Sequence, residues 1–225
     1  IFLHPDGMGP NTWMAVRLVA AGPDGRIAWD RLPAAAAYVG PMLDSVTASS
    51  NGGATTHAWG VRAATDSYGM VDGRRIERAA SGHPGPLMAE AQRAGRKVGL
   101  VNSATVAEPG TGAFLAAVPN RRDQAEIVAQ LMAARPDVLL GGGESLFLPK
   151  GVRGVHGVGV RTDGRDLIAE ARAAGYTVVR TRAELLAVPP GTTRLLGLFA
   201  AGDTFAEGTE QALARSRTPV FGPDV

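Results

Sequence analysis

The chain has 225 residues, 45% hydrophobic and 20% charged, enough for one globular domain with a real core or one domain with excursions. Its formal net charge is only +2 and its aromatic content 5%, with no Lys/Arg run interleaved with Phe or Tyr, so the stacking platform of a single-strand nucleic-acid binder is missing. It has no cysteine, which excludes disulfides and thiolate zinc sites, and no run of about eighteen apolar residues that would cross a membrane.

In chain order, short β-type runs alternate with helical ones. Residues 1–3 read as a buried strand, and no charged segment precedes them, so a signal peptide is either lacking or removed together with other residues. Asn11 is placed to cap a helix carrying Trp13, Met14, Val16, Leu18 and Val19 before Gly22. Residues 41–82 are less regular and rich in Ser, Thr and Gly. Beyond them, 86–94 reads as a helix stopped by Gly95, and 97–101 as the strand that follows. Residues 121–134 form a longer helix with Ile127, Val128 and Leu131 on one face, and 137–140 a strand ending in Gly141-Gly142-Gly143. Helix 166–174, strand 177–179, a short helix 182–188 and strand 194–199 come next, and the polar stretch 204–225 shows no element. Helix followed by strand, repeated with short links, predicts an α/β fold: a mostly parallel central sheet with helices on both faces, in one domain over 1–225. Ligands of such sheets sit at the carboxyl ends of the strands.

Several residues have the chemistry for such a site. Asp6 lies just past the first run, beside Gly7 and Gly9; it suits a hard or borderline cation, or it is a turn aspartate that bonds its own backbone. In "TASSNGGATTHAWG", Ser49 and Ser50 precede residues that can continue as a helix, where free backbone N–H groups favour a phosphate, or where a serine simply caps. The stretch is not Gly-x-Ser-x-Gly, and His57 is about two helical turns from Ser50, too far along one helix to serve as its base. Glu108, Thr111 and Arg121-Arg122 lie in or beside the loop after strand 97–101. A guanidinium there is a fork for phosphate or an ordinary solvated charge, although the helix dipole disfavours arginine at a helix start. Gly141–Gly143 reads as a tight bend, and His83 and His156 as structural or solvent-facing.

Together these stretches resemble the alkaline phosphatases. Asp6-Gly7-Met8-Gly9 matches that family's "DGMG", Leu140–Gly143 its "LGGG" and Leu195–Ala200 its "LLGLFA". Gly60-Val61 places the family's nucleophilic serine at Ser50, and its phosphate-gripping arginine matches Arg121. The resemblance runs from residue 1 to about 201 and implies a metal-dependent phosphomonoester hydrolase with a phosphoserine intermediate at Ser50. It further implies two zinc ions and one magnesium, with Asp6 bridging two metal sites. Asp6, Ser50, Glu108 and Thr111 are the candidate metal ligands, and Ser50 and Arg121 the catalytic pair. Small phosphomonoesters are the implied substrates. A homodimer, and export to the periplasm or medium, also go with the family.

Three departures stand out. Ser49 occupies the place of the family's usual aspartate before the nucleophile, so Arg121 lacks the neighbour that would orient it. At the magnesium site, Glu108 falls on the usual Asp or His, whereas Gly110 falls on the usual hydroxyl residue, with Thr111 one place off. The family's later histidine and aspartate ligands have no counterpart, so the sequence is expected to be the N-terminal part of a larger catalytic domain, trimmed at both ends and inactive alone. A phosphodiesterase of the same superfamily and a non-catalytic phosphate or metal binder are the alternatives.

Overall fold

The computed structural model describes residues 1–34, 36, 40–206, 211, 212 and 215. The stretch 204–225 therefore lies, after 206, outside the described residues apart from those three positions. In chain order the elements are α1 (Pro10–Ala21), α2 (Ser50–Trp59), β1 (Met70–Val71), β2 (Arg74–Arg75), α3 (Leu87–Arg93), β3 (Gly99–Thr105), α4 (Pro109–Gly112), α5 (Gln124–Ala134), β4 (Val138–Gly142), α6 (Leu167–Ala173), β5 (Thr177–Val179), α7 (Arg182–Leu186) and β6 (Leu195–Leu198). Short 3-10 turns at Ala28–Arg31 and Glu144–Phe147 complete the set.

β3 to β6 form one parallel sheet, as the alternation of helix and strand predicts; the strand order is β3-β4-β6-β5. Its central strands are short apolar runs because both faces are covered: Leu139 and Leu196 are paired in register and fully buried. Asp137 sets the start of β4 against β3, its carboxylate accepting from Val98 N at 2.9 Å and Lys97 Nζ at 2.8 Å. α5 contributes the predicted stripe of Ile127, Val128 and Leu131, none of it exposed. It begins at Gln124 and not at 121, because Asn120 Oδ1 takes the N–H of Arg122 and turns the chain first. Asp166 caps α6 by accepting from Ile168 N and Ala169 N, and Thr181 with Glu184 makes a capping box on α7. The separate pair β1–β2 is antiparallel, its turn Asp72-Gly73 holding both residues at positive φ.

The amino-terminal part differs from expectation. Residues 1–3 form no strand and are exposed, with Ile1 and Leu3 projecting from the body. Apolar residues become a strand only where a neighbouring backbone takes their hydrogen bonds, and among the described residues none pairs with them. α1 is capped by Gly9 with Pro10 in its first turn, not by Asn11, and none of its residues is buried. Its companion is the 3-10 turn behind it, through Arg17–Asp30 and the Trp13–Trp29 ring pair at 5.4 Å. No helix among the described residues is long and apolar enough to cross a membrane.

Candidate active site

α2 brings Ser50 to its place. Ser49 is the N-cap, its hydroxyl accepting from Gly52 N at 3.1 Å and donating to the carbonyl of Thr65. Ser50 is thus the first helical residue, in the turn where backbone N–H groups lack partners within the helix. A Cβ on Gly52 would stand 2.6 Å from both Ala64 O and Met42 Sδ, so only glycine lets α2 seat this closely on that loop. Asp44 holds the same loop, accepting from Thr65 N and Thr65 Oγ1 at 2.9 Å each.

Asp6 reaches Ser50 from 44 residues away: Ser50 Oγ donates to Asp6 Oδ2 at 2.7 Å. Gly7 comes next at φ +67°, in a left-handed turn that glycine adopts without strain. Asp6 also lines a cavity of about 1270 Å³, together with Ile1–Pro5, residues 99–104 of β3, Glu108–Thr111, Phe114, Arg121, Asp203 and Phe205. The outer edge of β3, with Val101 69% exposed, opens onto this space. Ser50 is not part of the wall itself.

Glu108 and Arg121 meet on the cavity wall, Arg121 Nη2 donating to Glu108 Oε2 at 2.5 Å, with both side chains partly exposed. Glu108 stands just beyond the carboxyl end of β3, where a parallel sheet presents its ligand-handling groups. Thr111 is buried, its hydroxyl within reach of the carbonyls of Val106 (2.8 Å) and Glu108 (3.0 Å) and of Asn102 Nδ2 (3.1 Å). These bonds turn it into the protein. Arg122 stays on the surface. His57 faces Phe2 and His4, with ring centroids at 5.4 and 4.8 Å; burial, then His4, pulls its pKa down. His83 Nε2 lies 3.5 Å from Glu90, and His156 Nε2 lies 3.0 Å from the carbonyl of Arg180.

Two acids were missed in the sequence. Asp203 lines the cavity and accepts from Thr105 N at 2.9 Å; its position just past the end of β6 was the available signal. Glu144, after the glycine trio, is fully buried and is the centre of a separate network. Among the described residues no group of three or more His, Asp or Glu side chains is placed to hold a metal ion. Asp6 and Ser50 offer a carboxylate and a hydroxyl in contact, a pair suited to zinc or magnesium but short of the four to six ligands these ions take.

An open parallel α/β sheet with its polar side chains gathered beyond the strand ends defines the structural class. Within that class the chain belongs to the alkaline phosphatase family, whose model matches residues 1–214. It is 34% identical to streptomycin-6-phosphate phosphatase of Streptomyces griseus, over 89% of this chain and 47% of that protein. It also matches the crystal structure of a cold-active alkaline phosphatase from Shewanella sp., with 25% identity and a TM-score of 0.68, over 88% of this chain and 45% of that one. A variant of the alkaline phosphatase from the Antarctic bacterium TAB5, whose structure has Mg bound, shares the fold at 16% identity and a TM-score of 0.69, over 88% and 51% of the two chains. The chain spans under half the length of the curated relatives it matches. The family is metal-dependent.

Proposed function

We propose that the protein carrying this chain is a metal-dependent phosphomonoester hydrolase acting through a phosphoserine at Ser50. The observation that carries this reading is the 2.7 Å contact between Ser50 Oγ and Asp6 Oδ2 at the N-terminus of α2. Asp6 orients the hydroxyl and favours loss of its proton, and the dipole of α2, with the N–H groups of Ser50 and Asn51 ahead of the capped Gly52, attracts the phosphate. Ser50 Oγ bonds to phosphorus as the bond to the leaving oxygen breaks; hydrolysis of the phosphoserine then returns the serine. Arg121 supplies a fork for two phosphate oxygens. Asp6 and Ser50 would hold metal, and Glu108 stands ready as a further ligand. When bound, two zinc ions and one magnesium supply Lewis-acid stabilisation of the alkoxide and of the charge on the transferring group. Thr111 could join only after its present bonds are broken. By the same family reading the protein is exported and homodimeric.

The likeness to streptomycin-6-phosphate phosphatase makes streptomycin 6-phosphate a second substrate to assay beside a simple aryl phosphate. In the whole protein Ser50→Ala is expected to lower aryl phosphate hydrolysis by about 10³-fold or more. Retention of activity within tenfold of wild type would remove Ser50 as nucleophile. Faster turnover of a diester than of a monoester at saturating zinc would reassign the enzyme to the phosphodiesterases.

A further inference from the structure

Tyr68 is a fully buried phenol with no part in the chemistry proposed above. Its hydroxyl donates to Ala107 O at 2.8 Å, one residue before Glu108. The ring reaches that carbonyl by passing over Gly112. A Cβ there would stand 1.7 Å from the phenol oxygen and 2.9 Å from Cζ, so only glycine leaves the path open. Gly112 N in turn donates to Glu108 O at 2.8 Å. Burial first, and the Glu108 charge second, push the phenol pKa well above its usual value, so Tyr68 stays a donor in alkaline solution.

The backbone of Tyr68 is tied down as firmly. Thr55 Oγ1 donates to Ser67 O at 3.0 Å and accepts from Gly69 N at 2.9 Å, bracketing Tyr68 on both sides. Thr55 lies on α2, the helix that Ser50 opens. Tyr68 O also accepts from Val118 N at 3.0 Å. One enclosed side chain therefore links the helix carrying Ser50 to the strand-end segment carrying Glu108. A buried hydroxyl-to-carbonyl bond is shielded from exchange with water, so it fixes the two elements relative to each other.

The geometry points to Tyr68 as the positioning residue that sets Glu108 against Ser50. This rests on the hydrolase reading above, in which Ser50 attacks phosphorus and Glu108 is a further metal ligand. Without the phenol oxygen, the Ala107 carbonyl is left buried and unsatisfied. The segment then turns to find another donor and carries Glu108 with it. A misplacement of about 1 Å at a reacting centre costs up to about 10²-fold in rate.

The test uses the whole protein with Tyr68→Phe, Glu108→Gln and the double variant, measuring kcat and KM with an aryl phosphate and the urea midpoint of unfolding. Tyr68→Phe keeps the ring and removes only the bond. It is expected to lower kcat about tenfold with KM within about twofold. In the Glu108→Gln background the same change should lower kcat less than about twofold, because its effect passes through Glu108. The urea midpoint should fall equally in both backgrounds, since the bond lost is the same. An equal loss of kcat in the two backgrounds, or a loss in neither, overturns the assignment and leaves Tyr68 a core residue alone. Should Tyr68→Phe fail to fold, or Glu108→Gln be too slow to assay, 3-fluorotyrosine placed at position 68 keeps the bond and reports by fluorine NMR. Its resonance is expected to move on Glu108→Gln, and an unmoved resonance also overturns the assignment. If the wild-type protein hydrolyses no phosphate ester, the hydrolase reading fails, while the fluorine signal still reports on the link between Tyr68 and Glu108.

Discussion

Glu144 with Arg180 and Glu108 with Arg121 are the same two chemical groups in opposite settings. Glu144 is fully buried beyond the end of β4, accepting from Arg180 Nε at 2.8 Å, Val155 N at 3.2 Å and His156 N at 2.6 Å. Burial alone would push its carboxyl up; the backbone donors and Arg180 outweigh that and hold it below its usual range. The Glu108 carboxylate bonds Arg121 on the wall of a large cavity, with both side chains partly exposed, so water can replace either partner. The enclosed pair ties the loop after β4 to the end of β5. The open pair leaves donors free for something that comes and goes. What separates framework from handling is therefore enclosure and the number of bonds satisfied, not the kind of residue.

The sharpest way to break this contrast is Glu144→Ala, which leaves Arg180 largely buried without its carboxylate. We expect a loss of about 3–5 kcal/mol in urea unfolding. A loss below about 1 kcal/mol would erase the distinction between the pairs.

Acid should separate them next. With its folded pKa lowered from the ordinary 4.5, Glu144 adds stability that is present above about pH 4.5 and fades as pH falls through the folded value. Unfolding measured from about pH 6 down to about pH 3 should show the wild type converging on Glu144→Gln. A gap that stays constant across that range would refute the stabilising role of the ionised carboxylate.

The smallest effect belongs to the open pair. Glu108→Gln should change unfolding free energy by no more than about 1 kcal/mol, since partly exposed ion pairs contribute little. A larger loss would make Glu108–Arg121 a framework element like its buried counterpart.

Much of the sheet was legible in the amino-acid sequence. The strand at Thr177–Val179 stands where its apolar run predicted, and those of β4 and β6 differ by a residue or two at their ends. Local chemistry decides these elements: Asp166 and Thr181 cap the starts of α6 and α7, and Gly95 and Gly175 close the ends of α3 and α6. The run at residues 1–3 carried the same apolar signal and yields no strand, because pairing depends on a partner that the run itself does not encode.

The candidate site divides in the same way. The residue types, and through them the family, were written in the motifs around Asp6, Ser50, Glu108 and Arg121. Their contacts were not. Nothing in a separation of 44 residues says that Ser50 will donate to Asp6, or in one of 13 that Arg121 will turn to Glu108 while Thr111 turns inward. Asp203 has no sequence signal beyond its place after an apolar run, and β6 brings it to the cavity wall. The sequence by itself determined local elements and chemical capability, which depend on neighbours along the chain. Only the tertiary structure decided which groups meet, because that depends on how the strands order in the sheet and where their ends converge.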